Sequence, residues 1–397
     1  MAEPRKRFVG RKTAENAESS LVKKGARRFV NQIPPEITQD EALNEAIRLL
    51  PKNYNFEIHK SVWNIRKNAS KKVALQMPEG LLIYSCIIAD ILEQFCSVQV
   101  VVLGDVTYGA CCIDDFTAIA LGCDMMIHYA HSCLVPIDVT NIKCLYVFVT
   151  IEIDQTHLVN TLSHHLAGKR LALFSTIQFL PTIHQVAEPL HERGIPVHIP
   201  QAMPLSKGEV LGCTSPKLSN QEFDAIVYVG DGRFHLESAM IHNPELPAYK
   251  YDPYNQEFTI EEYNHAEMTA VRQNAIFHAR NARKVGLILG ALGRQGNPQT
   301  LQMLQDSYHK KGVETVVVVL SEIFPQKLAQ FADIDCWVQV ACPRLSIDWG
   351  YAFPVPLMTP YEAMVALDQD KWLNDGYPMD YYATNGYGRG KVPIRAP

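Results

Sequence analysis

Three cysteines stand where this chain could do chemistry. They are Cys111 in Gly109-Ala-Cys-Cys112, Cys213 in Leu211-Gly-Cys-Thr-Ser-Pro216, and Cys342 in Val340-Ala-Cys-Pro-Arg-Leu-Ser-Ile-Asp-Trp-Gly350. Each sits in a polar or Gly/Pro-rich segment that follows an apolar run, where the backbone can pass close to a ligand. Thiolates are soft ligands, so three of them converging would suit an iron–sulfur cluster and leave one iron open to a substrate. Cys112 is adjacent to Cys111 and could replace it; position alone does not choose. The chain has ten cysteines but no CxxC pair, which removes zinc ribbons, zinc fingers and thioredoxin-type redox motifs. The CxxxCxxC loop of ordinary radical enzymes is also missing, so any metal site must be assembled from distant segments. Cys86, Cys96, Cys123, Cys144 and Cys336 lie in apolar contexts and read as small buried hydrophobes, and Cys133 in His131-Ser-Cys-Leu reads the same way.

Other polar segments follow apolar runs. Gln76-Met-Pro-Glu-Gly80, Ser175-Thr-Ile-Gln178, Gly230-Asp-Gly-Arg-Phe-His235 and Gly290-Ala-Leu-Gly-Arg-Gln-Gly296 all suit a polar small molecule. The last could offer backbone N–H groups and Arg294 to a carboxylate. Asp231 could hydrogen-bond an amine or a ribose, and the loop at Gly80 could flank the same ligand. The GxxGxxG spacing fails as a dinucleotide fingerprint. Each segment also reads as an ordinary turn that uses Gly and Asp for its geometry. His128, His131 and His235 are acid–base candidates, although single histidines at strand ends are commonly structural.

The elements that must position these groups recur three times. An opening strand is expected at Lys72–Gln76, Arg170–Ser175 and Lys284–Leu289. A second is expected at Val98–Leu103, Ile195–Ile199 and Val313–Leu320, and a third at Cys123–Tyr129, Phe223–Val229 and Ile334–Val340. The series are offset by roughly one hundred residues. Helical patterns at Leu82–Phe95, Ile183–Arg193 and Thr300–Lys311 lie between the runs. Continuous apolar strands alternating with helices predict parallel sheets covered on both faces, with right-handed crossovers. The expected fold is α/β: three repeated doubly wound units in a pseudo-threefold arrangement, with ligands beyond the carboxyl ends of the strands. Before them, Thr38-Gln-Asp-Glu reads as a helix cap, and a second helix is expected over Ile58–Asn68. The expected domains are a flexible basic arm at 1–31, N-terminal helices and a first repeat at 32–165, repeats at 166–280 and 281–365, and an aromatic tail at 366–397.

Composition narrows the function. The 397 residues are 47% hydrophobic and 20% charged, a globular balance. With 37 basic against 42 acidic residues the net charge is -5, which argues against bulk electrostatic binding to nucleic acid. The longest apolar runs, such as Cys144–Ile151, fall far short of a bilayer span. The first twenty residues carry no apolar h-region, and free cysteines suit a reducing, cytoplasmic setting. Residues 1–31 hold nine Lys or Arg against three Glu and read as a solvated arm.

Together, GDVTYGACCIDD, LGCTSP, YVGDGRFHLE, LGRQGNP and ACPRLSIDWG resemble the diphthamide synthase family, over nearly the whole chain from about Val30 to Tyr377–Gly388. The resemblance is to the catalytic subunit 1 of the eukaryotic type. It implies a [4Fe–4S] cluster on Cys111, the cysteine following Gly-Ala, with Cys213 and Cys342, and S-adenosylmethionine at the open iron. The implied reaction moves the 3-amino-3-carboxypropyl group to the imidazole C2 of one histidine of elongation factor 2 by a non-classical radical route, releasing methylthioadenosine. Implied partners are a related subunit 2 and a small metal-binding electron donor. Gly80, Asp231 and Arg294 are the expected S-adenosylmethionine contacts. Two rival readings are a quinolinate-synthase-like enzyme, whose open iron acts as a Lewis acid, and a non-catalytic partner subunit.

Overall fold

The computed structural model describes residues 33–379 except 106, 108, 136, 138 and 139, so the expected basic arm and the end of the aromatic tail lie outside the described residues. Three mainly parallel sheets carry the fold, and a two-stranded antiparallel pairing of Tyr54–Asn55 with Thr150–Ile151 joins the first sheet's segment to the approach to the second. The first sheet runs in the order Gln99–Val102, Lys72–Gln76, Met125–Tyr129, Lys143–Val147. The second runs Val197–His198, Leu171–Ser175, Ala225–Val229, Ala248–Asp252, with Glu257–Glu261 added antiparallel. The third runs Glu314–Leu320, Lys284–Gly290, Cys336–Val340, Leu357–Met358.

In chain order within each sheet the strands stand second, first, third, fourth, the same in all three. The central strands are buried on both faces. Leu171–Ser175, Ala225–Val229 and Cys336–Val340 are buried throughout, which is why they read as continuous apolar runs. Fourth strands were not foreseen, because Ala248–Asp252 mixes Tyr and Lys with apolar residues and Leu357–Met358 is only two residues long. The second strand of the middle sheet is also shorter than the apolar run Ile195–Ile199.

Helices Ile58–Asn68, Gln155–His165 and His265–Ala279 each precede a sheet and bury their apolar residues in its core. Leu158 and Leu162 pack with Leu171 and Leu173, while Met268 and Ile276 pack with Val285 and Leu287. Gln155–His165 and His265–Ala279, which the expected boundaries at 165/166 and 280/281 group with the preceding repeat, share a core with the sheet that follows. Each helix uses its apolar stripe on the sheet that follows it in the chain, because that sheet's face is the surface it can cover. The 366–379 stretch likewise does not hang free. Leu367, Tyr377 and Met379 join the third core, and the Tyr377 hydroxyl donates to Glu362 Oε1 at 2.7 Å.

The first helical turn is also capped differently from expectation. Asp40, not Thr38, caps Glu41–Ile47 by accepting from the Leu43 N–H at 3.1 Å, and a separate short helix covers Pro35–Thr38. Cys86 is exposed on Ser85–Cys96 and Cys133 is exposed, so neither fills a core. Among the described residues no helix is long and apolar enough to cross a membrane.

Candidate functional site

Cys111 and Cys112 sit on the single 3₁₀ turn Ala110–Cys112, closed by the Cys112 N–H to the Gly109 carbonyl at 2.9 Å. Gln76, the last residue of the first strand, holds this turn. Its Nε2 donates to the Cys112 carbonyl at 2.9 Å and its Oε1 accepts from the Asp114 N–H at 3.2 Å. The Gln76 Oε1 also lies 2.9 Å from His128 Nδ1, which must carry the hydrogen to bond an amide oxygen. His128 is fully buried, and burial holds its basicity well below the ordinary histidine range, with His131 adding to the shift. This residue therefore orients the glutamine behind the cysteine turn.

The third unit repeats the device. Gln339, on Cys336–Val340, donates from Nε2 to the Cys342 carbonyl at 2.9 Å and to Ser346 Oγ at 3.1 Å. Cys342 is the N-cap residue of the helix Pro343–Trp349. A buried glutamine at the end of an otherwise apolar strand, as in KVALQ and CWVQV, is the signal for this role. It was visible in the sequence at Gln76 and passed over at Gln339.

Side chains from one unit lock the cysteine loops of another. Arg344, two residues after Cys342 and buried, donates from Nη1 to the carbonyls of Gly212 (3.1 Å) and Phe234 (2.8 Å), and it pairs with Glu237 and Asp348. That anchors the residue before Cys213. The Arg294 N–H donates to the Cys111 carbonyl at 2.8 Å, and its guanidinium pairs with buried Asp115. Gly293 has φ +54°, and a Cβ there would stand 2.6 Å from Cys112 Cα, so only glycine lets the loops meet this closely. Gln295 Nε2 lies 3.5 Å from both Cys111 and Cys112 Sγ.

Cys111 and Cys213 pack against one hydrophobic cluster, and Cys342 is close enough to Cys111 to feel its charge. Burial first, then the negative charge of Cys111, pushes the Cys342 thiol up to about 12. A thiol in this state needs a cationic partner to ionise, which is what a metal or a cluster supplies. The Sγ atoms of Cys111 and Cys112 stand 3.9 Å apart, and among the described residues no group of three His, Cys, Asp or Glu is drawn into metal-holding geometry. The donor set and its loops fit an iron–sulfur group in residue type and in one thiol-bearing loop per sheet. Cys112 and Cys342 line a cavity of about 550 Å³ rimmed by Phe234, Phe324 and Trp349.

A second cavity, about 320 Å³, opens between the first and second sheets and brings together Gly80, His131, Asp231 and His235. Burial holds both histidines down to about 4, with His235 adding to the shift at His131 and Arg344 adding to that at His235. Arg294 does not line it. Its guanidinium is taken by Asp115 and lies 4.3 Å over the Phe116 ring, so it faces the cysteine turn rather than this cavity. The sequence reading missed Glu209, Ser132 and Thr107, which also line the cavity.

Residues 77–378 match the family model described as "Putative diphthamide synthesis protein". Proteins named 2-(3-amino-3-carboxypropyl)histidine synthase subunit 1 are similar over nearly the full length. The one from Debaryomyces hansenii is 62% identical, covering 98% of this chain and 95% of its own. That from Yarrowia lipolytica is 64% identical (98% and 91%), and that from Saccharomyces cerevisiae is 58% identical (99% and 97%). Among solved structures, Dph2 from Pyrococcus horikoshii with a 4Fe-4S cluster has the same fold at TM-score 0.69 and 23% identity, covering 82% of this chain and 94% of that one. With one thiol loop per sheet and relatives matched end to end, this chain belongs to the diphthamide synthesis protein family.

Proposed function

We propose that this chain is the catalytic, cluster-bearing subunit that transfers the 3-amino-3-carboxypropyl group of S-adenosylmethionine to the imidazole C2 of a histidine in elongation factor 2, the first step of diphthamide biosynthesis. One observation carries the reading: each of three sheets with the same strand order is followed by a cysteine-bearing loop, at Cys111–Cys112, Cys213 and Cys342, and the three loops are tied together by Arg294 and Arg344. The units are read as a pseudo-threefold set around that centre. Cys111, Cys213 and Cys342 would hold a [4Fe–4S] cluster, which when bound supplies one-electron chemistry and an open iron for the sulfonium. The chain's own part is positioning. Gln76 and Gln339 fix the cysteine turns, and Arg294 braces the Cys111 loop. The loops at Gly80 and Asp231 receive the nucleoside and amino-acid ends of the substrate. Which carbon–sulfur bond breaks is then a matter of which carbon these walls bring to the centre. The setting is cytoplasmic, with a related subunit 2 and a small metal-binding electron donor as partners.

The test is anaerobic purification with the partner subunit, iron and sulfide analysis, then dithionite, S-adenosylmethionine and elongation factor 2. The expected result is about four irons per chain, release of methylthioadenosine, and a modified histidine. A fully loaded chain that leaves S-adenosylmethionine intact would point instead to Lewis-acid chemistry. A chain that takes up no iron would be a non-catalytic subunit.

A further inference from the structure

The cavity between the first and second sheets carries an unusual set of polar atoms. Glu209 is 1% exposed; its Oε2 accepts from the Ser206 N–H at 3.1 Å, while its Oε1 has no hydrogen-bond partner among the described residues. Thr107 Oγ1 lines the same cavity, is buried and likewise has no partner there, while the Ser132 hydroxyl stands near enough to the Glu209 carboxylate to favour its charged form. Folded proteins keep few such atoms, and two facing one cavity mark a place where a polar ligand completes the bonding. The charge is equally one-sided. Among the described residues Glu209 and Asp231 line the cavity and no Lys or Arg does, and the burial-depressed histidines His131 and His235 stay neutral at physiological pH. Such walls favour a cation that can donate hydrogen bonds. A sulfonium has no proton to donate, whereas an ammonium has three.

We infer that Glu209 is the anchor for the α-ammonium of an amino-acid ligand in this cavity, with the Thr107 hydroxyl available to its carboxylate. The inference rests on the reading above, in which that ligand is the amino-acid end of S-adenosylmethionine. Glu209 is well placed for it. The segment after it is braced by the Val210 N–H to the Ser175 carbonyl at 3.1 Å, and Leu211, two residues before Cys213, lines the same cavity. The anchor and one proposed cluster thiol therefore share a short stretch of chain, which sets the distance between the held amino group and the metal centre. Burial also pushes the Glu209 carboxyl up, so a bound cation would stabilise its charged form.

The experiment measures equilibrium binding to the full chain under anaerobic conditions. The probes are S-adenosylhomocysteine, its deaminated analogue, and methylthioadenosine, which lacks the amino-acid end. The native chain should bind S-adenosylhomocysteine about tenfold or more tightly than the deaminated analogue. Glu209→Gln should erase that difference and leave methylthioadenosine binding unchanged. Equal native affinity for the amino and deaminated ligands would overturn the inference without any variant, and so would a Glu209→Gln chain that keeps the preference. In either case the transferase reading survives. A native chain that binds none of the three would sink both.

Discussion

Arg294 reaches from the third unit to Asp115 in the first, with Nη2 2.6 Å from Oδ2 and Nε 3.2 Å from Oδ1. The carboxylate is fully buried and also accepts from the Asn141 N–H at 2.8 Å, while the Arg294 backbone holds the Cys111 carbonyl. One residue thus closes the seam between two units with its side chain and positions a cysteine turn with its main chain. A two-pronged arginine fork is suited to this because it fixes direction as well as distance.

Asp115→Asn should lower unfolding stability by about 2–4 kcal/mol, because the guanidinium loses its partner in a largely buried place. The loosened seam should also reduce iron retained after anaerobic gel filtration. A urea midpoint equal to that of the native chain would contradict the role given to this pair.

The neighbouring thiols separate by substitution. Cys111→Ser, Cys213→Ser and Cys342→Ser should each lose most of the bound iron and the cluster's visible absorbance, since each removes one of three protein ligands. Cys112→Ser should keep both, because Cys112 is read as the cavity wall beside the ligand. Iron loss in Cys112→Ser with retention in Cys111→Ser would reverse that assignment.

His242 gives a pH signature outside the metal site. Burial holds it down to about 4 against an ordinary 6.5, offset in part by the Ser215 carbonyl 3.0 Å from its Nδ1 and lowered further by Lys217. Above pH 6.5 the ring is neutral in both folded and unfolded chains, and the folded state keeps its full stability. Between 6.5 and about 4 only the unfolded chain takes the proton, so stability should fall as the pH drops, by about 3 kcal/mol at the lower end. His242→Gln should flatten that part of a pH series of denaturant midpoints. A slope identical in both proteins would show that other groups govern the acid limb.

Much of this was legible in the chain itself. The continuous apolar runs around Leu171, Val285 and Cys336 could only be strands buried on both faces, and their threefold recurrence set the number of sheets. Cys111, Cys213 and Cys342 stand in the loops that follow Gln99–Val102, Val197–His198 and Cys336–Val340, and five ordered motifs identified the family. Tertiary packing decided the rest. Whether Gln155–His165 covers the sheet before it or after it depends on which face needs an apolar stripe, and local periodicity is the same either way. Arg294 read as a loop cation open to a ligand, yet Asp115, 179 residues away in sequence, claims it. Glu209 passed unnoticed because Lys207-Gly-Glu-Val210 is an ordinary polar turn in one dimension. Only the closing of two sheets around it removes its solvent and leaves one oxygen waiting for a donor, a desolvation that depends on neighbours distant in the chain.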